Sequence, residues 1–146
     1  MAKGRQQEKI LLGLSGEFAV AGYLFFRGYV ANLTLKNYPG VDIFAFNPRN
    51  NRNGTIQVKT KLGGRDYFLP ENISDADPPF VFVYFEAKDS LPQFFVVPAK
   101  RVAELSDWEL KTWLEGHPNA KKEQPRMISL SSIREFKDRW QNLGLD

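Results

Sequence analysis

The sequence has no cysteine and a single histidine, His117. The first absence excludes disulfides, thiolate zinc sites and a cysteine nucleophile. The second argues against a histidine-built metal cage and against a Ser-His relay. No run of apolar residues approaches the about 18 needed to cross a bilayer, so no membrane helix and no membrane partner is expected. The opening stretch Met1 to Lys9 carries an acid and two glutamines and has no signal-peptide cleavage pattern, so export is not expected and the protein is expected to be cytoplasmic. GxxxxGKS/T, GxGxxG after a strand and HExxH are all missing. Any metal or acid-base chemistry must therefore run on carboxylates, amides and lysines.

What is present is an ordinary globular composition: 146 residues, 42% hydrophobic, 14% aromatic and 25% charged, enough for one domain with a dense core and too apolar for a disordered chain. The net charge is only +3, but it is unevenly spread. Residues 1–65 hold ten basic and three acidic side chains, whereas residues 66–146 hold ten basic and fourteen acidic ones. Between Ile43 and Arg65 there are five basic residues and no acid. Such polarity suits a polyanionic partner, although a solvated face would look the same.

Periodicity predicts a helix from about Gln6 to Arg27, with Ile10, Leu14, Ala21, Leu24 and Phe25 at steps of three and four and Gly28 as its stop. Its density of Leu, Phe and Val predicts burial on much of its circumference. Strands follow at Tyr29 to Leu35, Val41 to Phe46 and Thr55 to Leu62, with a turn marked by Asn37, Pro39 and Gly40 and a hairpin loop from Asn47 to Gly54. Gly63 and Gly64 end the third strand, and Arg65 to Tyr67 read as its tail. Further strands are expected at Phe80 to Glu86, Gln93 to Val97 and Met127 to Leu130. Capping-box spacing at Ser106 to Glu109 and at Ser132 to Glu135 predicts two more helix starts, after a helix from Pro98 to about Leu105. Trp108, Trp113 and Trp140 read as anchors of these helices on the sheet, and His117 as an exposed loop residue. The order of elements describes one α/β domain over residues 1–146: an N-terminal helix on a mixed sheet of about five strands, then short C-terminal helices.

The polar residues in apolar surroundings carry the chemistry. Strand alternation puts Asp42, Phe44 and Phe46 on one face and Gln57, Lys59 and Lys61 on one face of the next strand. A hairpin centred on Asn50 and Asn51 would set Asp42 opposite Lys59 and Phe44 opposite Gln57. Glu17 falls on the apolar stripe of the first helix, where a carboxylate is costly unless paired or bound to a cation. An edge position touching water, or an ion pair with Lys59, would also satisfy it. If the helix packs on the hairpin, Glu17 and Asp42 approach, and a hard divalent cation relieves their repulsion.

Glu17, then Gly40-Val41-Asp42, then Ile56-Gln57-Val58-Lys59 resembles the core of the PD-(D/E)XK nuclease superfamily, which includes type II restriction endonucleases and archaeal Holliday junction resolvases. The helix-first order is most similar to the resolvase-type branch. The resemblance covers about residues 8–98, leaving 98–146 as a helical elaboration. It departs at Val41, where the family has proline, and at Gln57, where it has an acid. It implies a restriction endonuclease-like core and a hydrolase, a DNA-binding endonuclease that uses Mg²⁺ or Mn²⁺. It implies Asp42 as primary metal ligand, with Gln57, the Val58 carbonyl and Glu17 completing the metal-binding set and Lys59 contacting the scissile phosphate. Lys61, Arg49, Arg52 and Arg65 would hold flanking DNA phosphates. A homodimer agrees with the family's habit of cutting both strands. The neutral Gln57 keeps a catalytically inactive relative open, one that binds nucleic acid or a protein partner.

Overall fold

In the computed structural model, which describes residues 2–35 and 39–146, the apolar stripe of the N-terminal segment carries a 25-residue helix, α1, over Ala2–Phe26. Gly28, at φ 89°, ends it, its N–H reaching the Phe25 carbonyl at 2.9 Å. The buried side of α1 is Gly16, Val20, Ala21 and Leu24. Burial on much of the circumference does not occur. Leu11, Phe18, Phe25 and Phe26 stand between 54% and 84% exposed, and Ile10 is exposed as well. A helix lying on one sheet covers only the stripe that faces the sheet, and nothing described packs on its other side. By length and composition α1 is also apolar enough to cross a membrane, which corrects the reading that no segment is. Here its Val20–Leu24 stripe is committed to the sheet.

Strands β1 (Val30–Leu33), β2 (Ile43–Asn47), β3 (Arg52–Leu62), β5 (Phe80–Phe85) and β6 (Gln93–Val97) form a five-stranded sheet in the order β1-β2-β3-β5-β6. All neighbours are antiparallel except β3 and β5. Of the expected turn, Pro39 and Gly40 form one, and Asn37 lies outside the described residues. Ile43, Ile56, Val58, Val81 and Val83 face α1 and share its core. Gly16 is the point of closest approach: a Cβ there would lie 1.7 Å from the Thr60 hydroxyl. Gly22, by contrast, sits in open space on the exposed side of α1. Gly22→Ala therefore stabilises the protein by about 0.5–1 kcal/mol, read as a higher urea midpoint with an unchanged slope.

The other sheet face carries Phe80, Phe82, Phe95 and Val97. They are covered by helix α2 (Ala99–Gly116) and by a two-stranded sheet of β4 (Asp66–Phe68) and β7 (Met127–Ser129). β4 replaces the expected strand tail, because Tyr67 and Ile128 pair and both bury against Phe82 and its neighbours. Burial lifts the Tyr67 phenol above its ordinary pKa, and its hydroxyl donates to the Val83 carbonyl at 3.0 Å. The two expected helices at 98–116 are one. Ser106 is buried and bonds back to the Ala103 carbonyl at 3.1 Å instead of capping a new start. The C-terminal helix is replaced by a short α3 (Leu130–Ile133) and 3-10 turns at Arg134–Phe136 and Trp140–Leu143. Trp140 is an anchor, buried against Tyr23 and Phe94. Trp108 and Trp113 are not, and remain exposed.

Candidate active site

The β2–β3 register differs from the expected one. Ile43 lies opposite Ile56 and Phe44 opposite Thr55. The same count brings Asp42 opposite Gln57 rather than Lys59, and Phe44 away from Gln57. The cause is the loop at the other end of the hairpin. Asn47 pairs with Arg52, the Asn51 N–H closes on the Asn47 carbonyl at 2.9 Å, and the side chains of Asn47 and Asn50 donate to the Leu145 carbonyl at 2.7 and 3.0 Å. The C-terminal tail thus holds a turn one residue earlier than a centre at Asn50 and Asn51.

At Asp42 the ladder opens. The Asp42 N–H still donates to the Ile56 carbonyl at 2.9 Å. Its own carbonyl, however, accepts from the Thr34 amide of the first strand's end. The Val58 N–H, left without a main-chain acceptor on that side, is taken by Asp42 Oδ2 at 2.7 Å. A side-chain oxygen has replaced a ladder carbonyl, so the chain parts from β3 here. Among the described residues Asp42 Oδ1 has no hydrogen bond. The carbonyl of Val58 lies on the same edge of β3 as its N–H, because the two groups of one strand residue point the same way.

Asp42 and Glu17 line one groove of about 380 Å³, together with Lys9, Gly13, Phe18 and Thr34. Both carboxylates are half-buried. Lys9 was not singled out by the sequence reading. The signal for it was present: Lys9, Gly13 and Glu17 step by four along α1 and so share one face of the helix.

Gln57 and Lys59 do not line this groove. In β3, Val58 and Thr60 pair with Val81 and Val83 on the α1 side, whereas Gln57, Lys59 and Lys61 pair with Phe80, Phe82 and Tyr84 on the other. Gln57 is 8% exposed, and its amide has no hydrogen bond among the described residues. Lys59 is half-buried and forms no ion pair there. The structure therefore brings Glu17 and Asp42 together and sets Gln57 and Lys59 on the opposite sheet face.

The basic residues divide as well. Lys61 folds over the turn at Gly63 and Gly64, whose positive φ values of 63° and 72° suit glycine, and Arg65 is exposed beside it. Arg49 stacks over Tyr29 with its guanidinium 5.2 Å from the ring centre, and Arg52 donates to the Asp146 carbonyl. These two lie at the far end of the hairpin from Asp42, tied to the C-terminal tail.

Mg²⁺ asks for hard oxygens and keeps several waters, so one or two carboxylates suffice. Asp42 and Glu17 supply that charge and those oxygen donors. Among the described residues no cluster of three acidic or histidine side chains adds to them. A scan against protein-family models, a search of curated proteins and a search of solved structures each give no match.

Proposed function

We propose that this protein is a metal-dependent nuclease that hydrolyses DNA phosphodiesters, with a core of the restriction endonuclease type. The observation that supports it is the fork at Asp42. A carboxylate sits where two strands part, one oxygen held by the Val58 amide, and a second carboxylate from α1 lines the same groove. Asp42 and Glu17 would hold Mg²⁺ or Mn²⁺, with the Val58 carbonyl as a further oxygen. The cation would supply charge stabilisation at phosphorus and hydroxide near neutral pH. Asp42 is fixed by the hydrogen bond its Oδ2 accepts from the Val58 N–H, so it presents its other oxygen without rearranging. Lys9, which lines the groove with Asp42 and Glu17, would meet a phosphate entering it. Pairing of two copies belongs to the same proposal, because a double-strand cut calls for two sites.

A second reading is a nuclease-fold protein that binds nucleic acid without turnover. It is favoured by Gln57, which is neutral, nearly sealed and away from the groove. Cleavage of plasmid, junction and single-stranded DNA with Mg²⁺ and with Mn²⁺ separates the two. Turnover that vanishes in Asp42→Asn supports the first. Salt-dependent binding with no cleavage of any substrate selects the second.

Phosphate contacts are expected from Lys61 and Arg65 more than from Arg49 and Arg52, whose guanidinium groups are already engaged. Lys61→Ala with Arg65→Ala should reduce the slope of log affinity against log salt by about 2. Arg49→Ala should leave that slope within about 0.5 of its original value, as filter binding across a salt series would record.

A further inference from the structure

A cavity of about 500 Å³ lies between α2 and the β4–β7 pair, lined among others by Asp66, Trp108, Glu109, Thr112, Trp113 and Met127. That volume is in the range of small-molecule sites. Its aromatic lining is not explained by folding. Trp108 is 62% exposed and has no ring partner among the described residues, and Trp113 is 42% exposed. Trp113 is nevertheless held in place: His117 stacks on it with centroids 4.2 Å apart and planes 15° apart, and His117 Nδ1 lies 2.8 Å from the Trp113 carbonyl.

The two carboxylates of the cavity differ. Glu109 is satisfied within the protein, accepting from the Ser129 N–H at 2.9 Å, the Ser132 hydroxyl at 2.8 Å and the Ser129 hydroxyl. Asp66 is half-buried and has neither a hydrogen bond to its side chain nor an ion pair among the described residues. Arg126, which follows the cavity residues Gln124 and Pro125 in the chain, is paired with Asp107. A half-buried carboxylate without a partner, beside two exposed indoles, is a place where positive charge is attracted twice: by the carboxylate, and by the ring faces through their quadrupoles.

We propose that this cavity binds a small organic cation, a protonated amine carried on an aromatic or aliphatic body, with Asp66 taking the ammonium group and Trp108 and Trp113 the apolar part. The site is independent of the groove at Asp42, and its test does not depend on nuclease activity.

The three tryptophans make the test internal. In a two-dimensional proton–nitrogen spectrum of the full chain, the indole N–H signals of Trp108 and Trp113 report the cavity. That of Trp140, which is 2% exposed in the core beneath α1, reports the rest. Titration with phenethylammonium should shift the first two saturably and leave the third in place. Binding should be about tenfold tighter than for the neutral 2-phenylethanol, with no saturable shift from the anionic 3-phenylpropionate. Asp66→Asn should erase the preference for the amine over the alcohol, and Asp66→Glu should retain it, both with an unchanged Trp140 signal. Equal affinity for amine and alcohol, shifts that stay linear into tens of millimolar, or an unaltered preference in Asp66→Asn would each overturn the proposal.

Discussion

Asp42→Asn is expected to lower phosphodiester cleavage by on the order of a thousandfold, about 4 kcal/mol of transition-state stabilisation, while the protein stays folded. The amide oxygen of asparagine can still accept the Val58 N–H that Asp42 Oδ2 now takes at 2.7 Å. What is lost is the charge that would hold the cation. Asp42→Ala differs, because it removes the acceptor as well. The Val58 amide is then orphaned at a buried strand position, and the protein should lose about 1–3 kcal/mol of stability in addition to its activity. Cleavage rates, Mn²⁺ binding by water-proton relaxation and urea midpoints on the two variants separate a metal ligand from a purely structural carboxylate. If Asp42→Asn cleaves and binds Mn²⁺ as the parent does, the groove at Asp42 is not the site.

Gly16→Ala is expected to destabilise the protein by about 2–3 kcal/mol, the cost of forcing a methyl group into a packed contact. The added carbon would sit 1.7 Å from Thr60 Oγ1 and 2.8 Å from Thr60 Cβ. Neither can retreat freely, because Thr60 is β-branched and lies in β3, paired with Val83 in the middle of the sheet. The helix would have to lift from the strand it packs on, loosening Val20 and Leu24. Trimming the opposing side chain should help only in part: Thr60→Ala clears the hydroxyl and the methyl but leaves the Cβ. The double variant should therefore fall between Gly16→Ala and the parent in a urea denaturation series. Thr60 Oγ1 is buried without a hydrogen bond, so the hydroxyl offers no compensating partner that Thr60→Ala would sacrifice.

The same comparison of local and distant forces explains which features were readable in advance. The strands at Phe80–Phe85 and Gln93–Val97 are runs of β-branched and aromatic residues, buried on both faces, and no competing pattern exists there. α1 was readable from its spacing, but its exposed side was not, since periodicity marks an apolar residue without saying whether anything will cover it. Both capping boxes were misleading for one shared reason. Glu109, the partner the spacing assigns to Ser106, accepts hydrogen bonds from Ser129 and Ser132 instead, and Ser132 was the assigned cap of the next helix. A carboxylate reaching across more than twenty residues of chain removed the acceptor from one local motif and the cap from the other.

The candidate site follows the same division. Residue chemistry and strand alternation were enough to single out Glu17 and Asp42, and the acid-poor stretch from Ile43 to Arg65 was visible as composition. The hairpin register was not visible, because Asn47 and Asn50 take their shared acceptor from Leu145, at the opposite end of the chain. Nor was the separation of Gln57 and Lys59 from Glu17, which follows from which face of β3 receives α1. Local propensity and composition act over a few residues, and they determined the N-terminal helix, the main strands, the missing chemistries and the residues worth watching. Register, sheet face and exposure depend on hydrogen-bond partners and packing surfaces supplied by remote segments, so only the folded arrangement decided which of those residues meet.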